Sequence, residues 1–200
     1  MDEIVLRAIA KWPDVPAVYG WLSLDRRGNW SIKGERVRNP LIAGFIGRNY
    51  GHDERGRWFF QNGPQRVYVR LAYTPMVYRT RGGDGFALLT HTGAPADRVR
   101  RAWLDGEGQL LIETEHGVGV LHDHDLAAAF THLTGADGSP LEDTAIEHLL
   151  DMAATTAASV PVYLDTDRGR VQVSVIRAAA LPDMFMFDPD PRPAPGEPEC

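Results

Sequence analysis

Imidazole and carboxylate groups alternate in the run His122-Asp123-His124-Asp125, and His116 lies six residues earlier. On an extended stretch, residues two apart point to the same side, and these groups are common ligands of divalent metals such as zinc. The candidate metal ligands are His116, His122 and His124, with Asp125 or Asp123 as the carboxylate. A metal held there would support a metal-assisted hydrolase. The alternative is a helix start that Asp123 caps, since no H-E-x-x-H spacing is present.

A second candidate site is a cationic strand face. Valine, leucine and tyrosine occupy alternate positions over residues 66–73, and the residues between them share the opposite face of the predicted strand. If residues 76–81 return as the second strand of a hairpin, two more arginines join that face. The polar set is Arg66, Tyr68, Arg70, Arg79 and Arg81. Because guanidinium groups suit phosphate and carboxylate, this face predicts recognition of an anionic small molecule or a partner protein.

The charge is unevenly distributed along the chain. Residues 1–105 carry 17 basic against 10 acidic side chains, whereas residues 106–200 carry 4 against 17. The acidic half can therefore neutralise the arginines internally, and this alternative stays open beside ligand binding. The formal net charge of −6 argues against a nucleic-acid partner, because a polyanion would be repelled at long range.

Other signals of chemistry or location are weak. Cys200 is the only cysteine, so one chain forms neither a disulfide nor a cysteine-based zinc site, and we expect a cytoplasmic protein. No apolar run approaches the roughly 20 residues of a membrane span, and no segment resembles a secretory signal. Phosphate-binding loop spacings and the G-x-S-x-G nucleophile motif are also missing from the sequence. We therefore expect no membrane association, no cofactor and no catalytic residue, while the oligomeric state is left open.

These residues must be positioned by a fold that is rich in turns. Glycine and Asn-Gly signals separate short alternating strands, which predicts antiparallel hairpins and meanders. Asp2 is placed to cap a short N-terminal helix, and Asn39-Pro40 to begin a helix near 40–50. Two further helices are expected near 123–158. The predicted fold class is α+β, with two small subdomains as a variant.

We expect one compact domain over residues 1–181, and the alternative is a subdivision of this domain near residues 82–97. Residues 182–200 contain six prolines among acidic residues, which predicts a flexible tail. An apolar cluster at 184–187 lies within that tail. It either packs on the domain as a last extended segment or serves as a short linear motif for a partner.

Two sequence blocks resemble known families. They are Gly20-Trp-Leu-Ser-Leu-Asp-Arg-Arg-Gly-Asn-Trp30 and Phe60-Gln-Asn-Gly-Pro-Gln-Arg66. Together, these two blocks resemble a proteobacterial family of uncharacterised cytoplasmic proteins. The order of the motifs along the chain is also similar to that of a second bacterial domain-of-unknown-function family. The similarity covers roughly residues 12–125. It implies a small bacterial α+β protein and brings no activity, cofactor or catalytic residue. With no paired catalytic groups in the sequence, we expect a non-catalytic binding or interaction protein.

Overall fold

A computed structural model of the chain describes residues 1–13, 15–82, 85–142, 144–147, 151 and 161–196. The chain divides into two compact units. Unit 1 comprises Met1–Pro75 and Phe185–Cys200, and unit 2 comprises Met76–Met184. The described part of the chain contains no helix that is both long and apolar enough to cross a membrane.

Unit 1 contains a mixed six-stranded sheet and two helices among its described residues. Its strands are β1 (Val18–Leu24), β2 (Trp30–Ile32), β3 (Glu35–Arg36), β4 (Tyr50–His52), β5 (Trp58–Asn62) and β6 (Gln65–Leu71). They are ordered β3-β2-β1-β6-β5-β4, and β1 and β6 run parallel while the other neighbours are antiparallel. The Asn62-Gly63 signal therefore does mark a hairpin, between β5 and β6.

The helices of unit 1 are α1 (Glu3–Lys11) and α2 (Pro40–Arg48). The predicted start of α2 is confirmed, because the Asn39 side chain accepts a hydrogen bond from the backbone N–H of Leu41 at 2.9 Å and proline occupies the first turn. Asp2 stands at the N-cap position of α1 but does not cap it. Its carboxylate instead pairs with Arg48, which ties the start of α1 to the end of α2.

Unit 2 is built on a mixed nine-stranded sheet in its described residues. Its strands are β7 (Met76–Thr80), β8 (Leu88–Thr90), β9 (Pro95–Ala96), β10 (Arg101–Asp105), β11 (Leu110–Thr114), β12 (Gly117–Leu121), β13 (Leu133–Thr134), β14 (Val162–Thr166) and β15 (Gly169–Ile176). Their order is β13-β14-β15-β10-β11-β12-β7-β8-β9. The predicted meander of β10, β11 and β12 and the final β14–β15 hairpin are confirmed. Fully buried leucine and isoleucine side chains of β10 and β11 form the centre of this unit's core.

The α+β fold class is confirmed, and the two sheets fit the variant with two subdomains. The expected antiparallel hairpins and meanders make up most of the described strand pairs, and three pairs, β1–β6, β10–β15 and β7–β12, are parallel. Parallel pairs join strands that are distant in sequence, so turn signals between neighbours do not reveal them.

The expected hairpin of residues 66–73 with 76–81 is wrong. Strand β6 is bordered by β1 and β5, and β7 is bordered by β12 and β8. The β5–β6 hairpin takes one edge of β6 and the parallel strand β1 takes the other, so no edge is left for β7. Arg79 and Arg81 therefore belong to the sheet or loops of unit 2, and Arg66, Tyr68 and Arg70 to the sheet of unit 1.

The helix expected from residue 123 is shorter than predicted. A 3-10 turn at Asp123–Asp125 leads into α3 (Leu126–Phe130), and β13 begins only three residues later. The second helix expected in this stretch is observed only in part. Pro140 instead forms an isolated β-bridge with Thr134, whereas residues 144–147 are helical. Most of the remaining predicted stretch to residue 158 lies outside the described residues.

The proline-rich end of the chain begins with a 3-10 turn at Ala178–Ala180 and α4 (Leu181–Phe185). Phe187 is buried, whereas Met184 and Met186 are exposed. The backbone N–H of Asp188 donates to the carbonyl of Gly56 at 3.0 Å, and the carbonyl of Pro189 accepts from Leu71 at 2.8 Å. Residues 187–189 thus pack on unit 1, and flexibility of the 182–200 segment in solution stays a prediction.

Candidate ligand-binding site

Two tyrosines on neighbouring parallel strands stack in unit 1. Val18 of β1 pairs with Val67 of β6, and the rings of the residues that follow them, Tyr19 and Tyr68, lie against each other. Their ring centroids are 4.6 Å apart with an interplanar angle of 15°, and both side chains are buried. Phe59 of β5 meets the Tyr68 ring edge-on. The three rings form a small aromatic cluster that fixes the position of the phenol groups.

A buried ion pair borders this cluster. In the turn before β5, Asp53 accepts the backbone N–H of Arg55 and of Arg57 at 3.0 Å each, and its other oxygen accepts the Arg57 Nε at 2.8 Å. The Arg57 and Asp53 side chains are only 11 % and 12 % exposed. The turn therefore holds the guanidinium in one orientation.

The ion pair and the tyrosines form one network. The Arg57 Nη1 donates to the Tyr19 hydroxyl at 3.1 Å, and the Tyr68 hydroxyl donates to Asp53 Oδ2 at 3.1 Å. The guanidinium carbon of Arg57 lies 4.5 Å from the centre of the Tyr68 ring, which is a cation–π contact. Each polar group of this network thus has a partner although it lies beside an apolar cluster.

The network sets the ionisation of its members. Burial alone would raise the pKa of Asp53, but hydrogen bonds from Arg57, its positive charge and the Tyr68 hydroxyl outweigh burial and lower that pKa below its ordinary value. Burial raises the pKa of Tyr68, and the neighbouring Arg66 and Arg57 oppose this only in part. At neutral pH, Asp53 is therefore a carboxylate and Tyr68 a neutral phenol.

Arg66 differs from Arg57 in its surroundings. It lies on the same face of β6 as Tyr68, its side chain is exposed, and its guanidinium carbon is 4.6 Å from the centre of the Phe59 ring. Among the described residues, no carboxylate lies within ion-pair distance of this guanidinium. Arg66 also hydrogen-bonds to the Tyr68 side chain, and as an exposed cation on an aromatic support it can still bind a ligand with its other N–H groups.

Two adjoining cavities of unit 1 share Arg57 and Arg66 in their walls. The first has a volume of about 470 Å³ and is lined by Ile9, Pro13, Val15, Pro16, Ala17, Arg57, Gln61, Pro64, Arg66 and Tyr68. The second has a volume of about 780 Å³ and is lined by His52, Asp53, Glu54, Arg55, Arg57, Arg66, Ala194, Pro195 and Gly196. We call them the apolar-walled cavity and the charged cavity. Both lie in the size range of small-molecule sites.

The predicted cationic face is only partly assembled. Arg66 and Tyr68 line the apolar-walled cavity, whereas Arg70 is exposed and lines neither cavity. In unit 2, Arg79 donates to Asp125 at 2.8 Å, so internal neutralisation applies to this arginine. Arg81 lines a separate cavity of about 260 Å³ in unit 2. The binding role of all five residues stays a prediction.

The predicted metal ligands are also only partly assembled. Among the described residues, His122, Asp123 and His124 bring ligand atoms within 4.8 Å of one another. His116 instead directs Nε2 to the carbonyl of Pro95 at 2.8 Å, and Asp125 pairs with Arg79.

The local geometry accounts for the histidines without a metal. His122, and not Asp123, occupies the N-cap position of the 3-10 turn, and its Nδ1 accepts the backbone N–H of His124 at 3.2 Å. Burial, together with the charge of Arg79, lowers the pKa of His122. This geometry does not favour the metal-assisted hydrolase.

Several residues of the tyrosine and arginine network were missed by sequence reasoning. The contact of Tyr19 with Tyr68 across a parallel strand pair leaves no local signal in the sequence. Asp53 and Arg57 do carry a signal, because an aspartate followed four residues later by an arginine is a recognisable ion-pair spacing. The apolar wall from Ile9 to Ala17 had no periodic signal that connected it to β6.

Comparisons with known proteins were made for the whole chain. A family model named DUF2944, described as "Protein of unknown function (DUF2946)", matches residues 1–192. No curated protein matches the chain. Two solved structures are similar, both of DUF1285 family proteins. The protein from Silicibacter pomeroyi DSS-3 has 14% identity, a TM-score of 0.48 and coverage of 72% of this chain and 87% of its own. The protein from Shewanella baltica OS155 has 14% identity, a TM-score of 0.41 and coverage of 54% and 88%.

Proposed function

Because the chain belongs to the DUF2944 family, whose function is unknown, we propose a function from the geometry of unit 1: it binds a small molecule that carries a carboxylate or phosphate group. The observation that carries this proposal is the exposed Arg66 guanidinium, which lines both cavities and has no carboxylate partner among the described residues. The resemblance to a family of unassigned function is confirmed, and no activity is transferred from it.

The anionic group is placed against Arg66 on the side of the apolar-walled cavity. The charged cavity contains Glu54 as well as Asp53, so part of its positive charge is offset. The apolar-walled cavity has Arg57 and Arg66 in its wall, and none of the described residues that line it carries a carboxylate. An anion therefore gains more from this side, where the guanidinium fork of Arg66 offers parallel N–H donors.

Arg57 and the tyrosines have a supporting role. The donors of Arg57 are directed to Asp53 and Tyr19, so it contributes positive charge and holds the aromatic floor in place. Asp53 is a poor general base near neutral pH, because its pKa is lowered and both oxygens accept hydrogen bonds. These features favour a binding protein over an enzyme. We also propose a cytoplasmic location, since the chain contains a single cysteine.

Isothermal titration with acetate and with inorganic phosphate tests this function at low ionic strength. Arg66→Gln should weaken the binding of these anions at least tenfold, because it removes the cation and keeps a polar side chain. Arg70→Gln is the matched control, since it makes the same change on the same exposed strand face outside both cavities. Equal binding by the two variants, or no Arg66-dependent binding of either anion, would refute the proposal.

A further inference from the structure

The apolar-walled cavity combines one unneutralised cation with an extended apolar surface. Six of its ten lining residues are apolar. Five of these come from the end of α1 and the segment that follows it, namely Ile9, Pro13, Val15, Pro16 and Ala17. Ile9, Val15, Pro16 and Ala17 are each half-buried, so their remaining apolar surface is exposed. A bare inorganic ion would leave this surface in contact with water.

The apolar wall is attached to the sheet at both ends. Near the end of α1, Ala8 lies close to the β5–β6 turn, because a Cβ placed on Gly63 would be 3.9 Å from the Ala8 Cβ. At the other end, Gln65 of β6 donates from Nε2 to the carbonyl of Pro16 at 3.0 Å. The prolines also restrict the backbone of this segment. These contacts hold the two ends of the wall beside the sheet that carries Arg66, which lowers the ordering cost of binding.

From this juxtaposition we propose that the ligand of the apolar-walled cavity is an amphiphilic acid, with an aliphatic chain of several carbons attached to a carboxylate. The carboxylate lies on Arg66, and the chain lies along Ile9, Val15 and Pro16. The volume of about 470 Å³ accommodates a chain of this kind, and the lining combines the apolar wall with the polar side chains of Arg57, Gln61, Arg66 and Tyr68. This inference rests on the proposed function, because it names the class of anion that the same site takes.

The test is a chain-length series of unbranched carboxylates, from acetate to octanoate, titrated into the full-length protein. We expect the affinity to rise about twofold for each added methylene, since a chain covered on one side gains about half the effect of full burial. Hexanol, which has the chain without the charge, should bind at least tenfold more weakly than hexanoate. Arg66→Gln should weaken the binding of every carboxylate in the series by a similar factor and leave the dependence of the affinity on chain length unchanged.

The variant Val15→Ser tests the contribution of the apolar wall to binding independently of the contribution of Arg66. It should flatten the dependence of the affinity on chain length. Val37→Ser is the matched control, because Val37 is a half-buried valine outside both cavities, and it should retain the dependence.

The outcomes distinguish the two proposals. If acetate binds in an Arg66-dependent way but the affinity does not rise with chain length, the proposal of an amphiphilic acid is wrong and the proposed function stands. A gain that persists in Val15→Ser would overturn the assignment of the chain to this wall. Loss of any Arg66-dependent binding across the series would remove the proposed function itself. The series on the natural protein is decisive even if a variant fails to fold.

Discussion

Arg57 donates from Nε to Oδ2 of Asp53 over 2.8 Å, and both side chains are almost entirely buried. This pair connects the turn before β5 to the Tyr19–Tyr68 stack. Because Arg57 is engaged inside the protein, its neighbour Arg66 is the cation that remains available to a ligand. The division of roles between the two arginines underlies the account of the site.

The Asp53–Arg57 pair should make stability depend on pH. Asp53→Asn should lower the free energy of unfolding at pH 7 by about 2–3 kcal/mol, since it weakens hydrogen bonds to a charged group. The pKa of Asp53 is lowered in the folded state, so the stabilisation is present above the unfolded value of about 3.9 and is lost as the pH falls through the folded value. Urea unfolding at pH 7, 5, 4 and 3 measures this.

The difference between the natural protein and Asp53→Asn should therefore shrink below about pH 4, because a protonated aspartic acid resembles asparagine. Glu54→Gln serves as the control, since it changes an exposed acid in the same turn and should leave the unfolding free energy nearly unchanged. A difference that stays constant over the whole pH range would show that the carboxylate charge is not what stabilises this turn.

Gly56 should be intolerant of alanine because of its contact with the chain's end. A Cβ at Gly56 would lie 1.9 Å from the carbonyl oxygen of Met186, and the backbone has a φ of +73°. Gly34 has a similar positive φ of +85° with nothing within 4 Å of a Cβ. Gly34→Ala should cost about 1–2 kcal/mol from backbone strain, and Gly56→Ala about 1–3 kcal/mol more from the clash. Equal costs in chemical unfolding would contradict packing of residues 187–189 on unit 1.

Tyr78 should stabilise the sheet of unit 2 through its hydroxyl group. That hydroxyl is hydrogen-bonded to Thr114 Oγ1 at 2.7 Å and donates to the carbonyl of Gly117 at 2.8 Å, in a fully buried side chain. Tyr78→Phe should reduce the unfolding free energy by about 1–2 kcal/mol, because it leaves buried acceptors unpaired. Tyr163→Phe, at a half-buried tyrosine, is the comparison and should cost clearly less. Indistinguishable losses would argue against the hydroxyl contribution.

The histidine cluster should not retain zinc. The Nδ1 atom of His122 already accepts the backbone N–H of His124, and Asp125 of the predicted ligand set is paired with Arg79. Protein purified after growth in zinc-rich medium should contain much less than one zinc per chain by elemental analysis. A stoichiometric zinc that His124→Ala abolishes would restore the metal site.

Local patterns predicted the parts of the site that lie on one strand. The alternation along β6 correctly placed Arg66 and Tyr68 on one face, and the Asn62-Gly63 turn located the hairpin that precedes them. The stack with Tyr19 depends on a parallel pair that joins residues 49 positions apart, which no turn signal encodes. Arg79 illustrates the same limit, because the parallel partner strand of β7, β12, and the ion pair of Arg79 with Asp125 are both distant in sequence.

In the proposed complex, Arg66 binds the carboxylate of an amphiphilic acid. NMR of the arginine Nε–Hε groups during a titration with hexanoate measures this contact directly, with the Arg66 and Arg70 signals assigned from their glutamine variants. We expect a saturable shift of the Arg66 signal and an unchanged Arg70 signal. Saturable binding that leaves the Arg66 signal in place, or no saturation at all, would contradict the proposed contact.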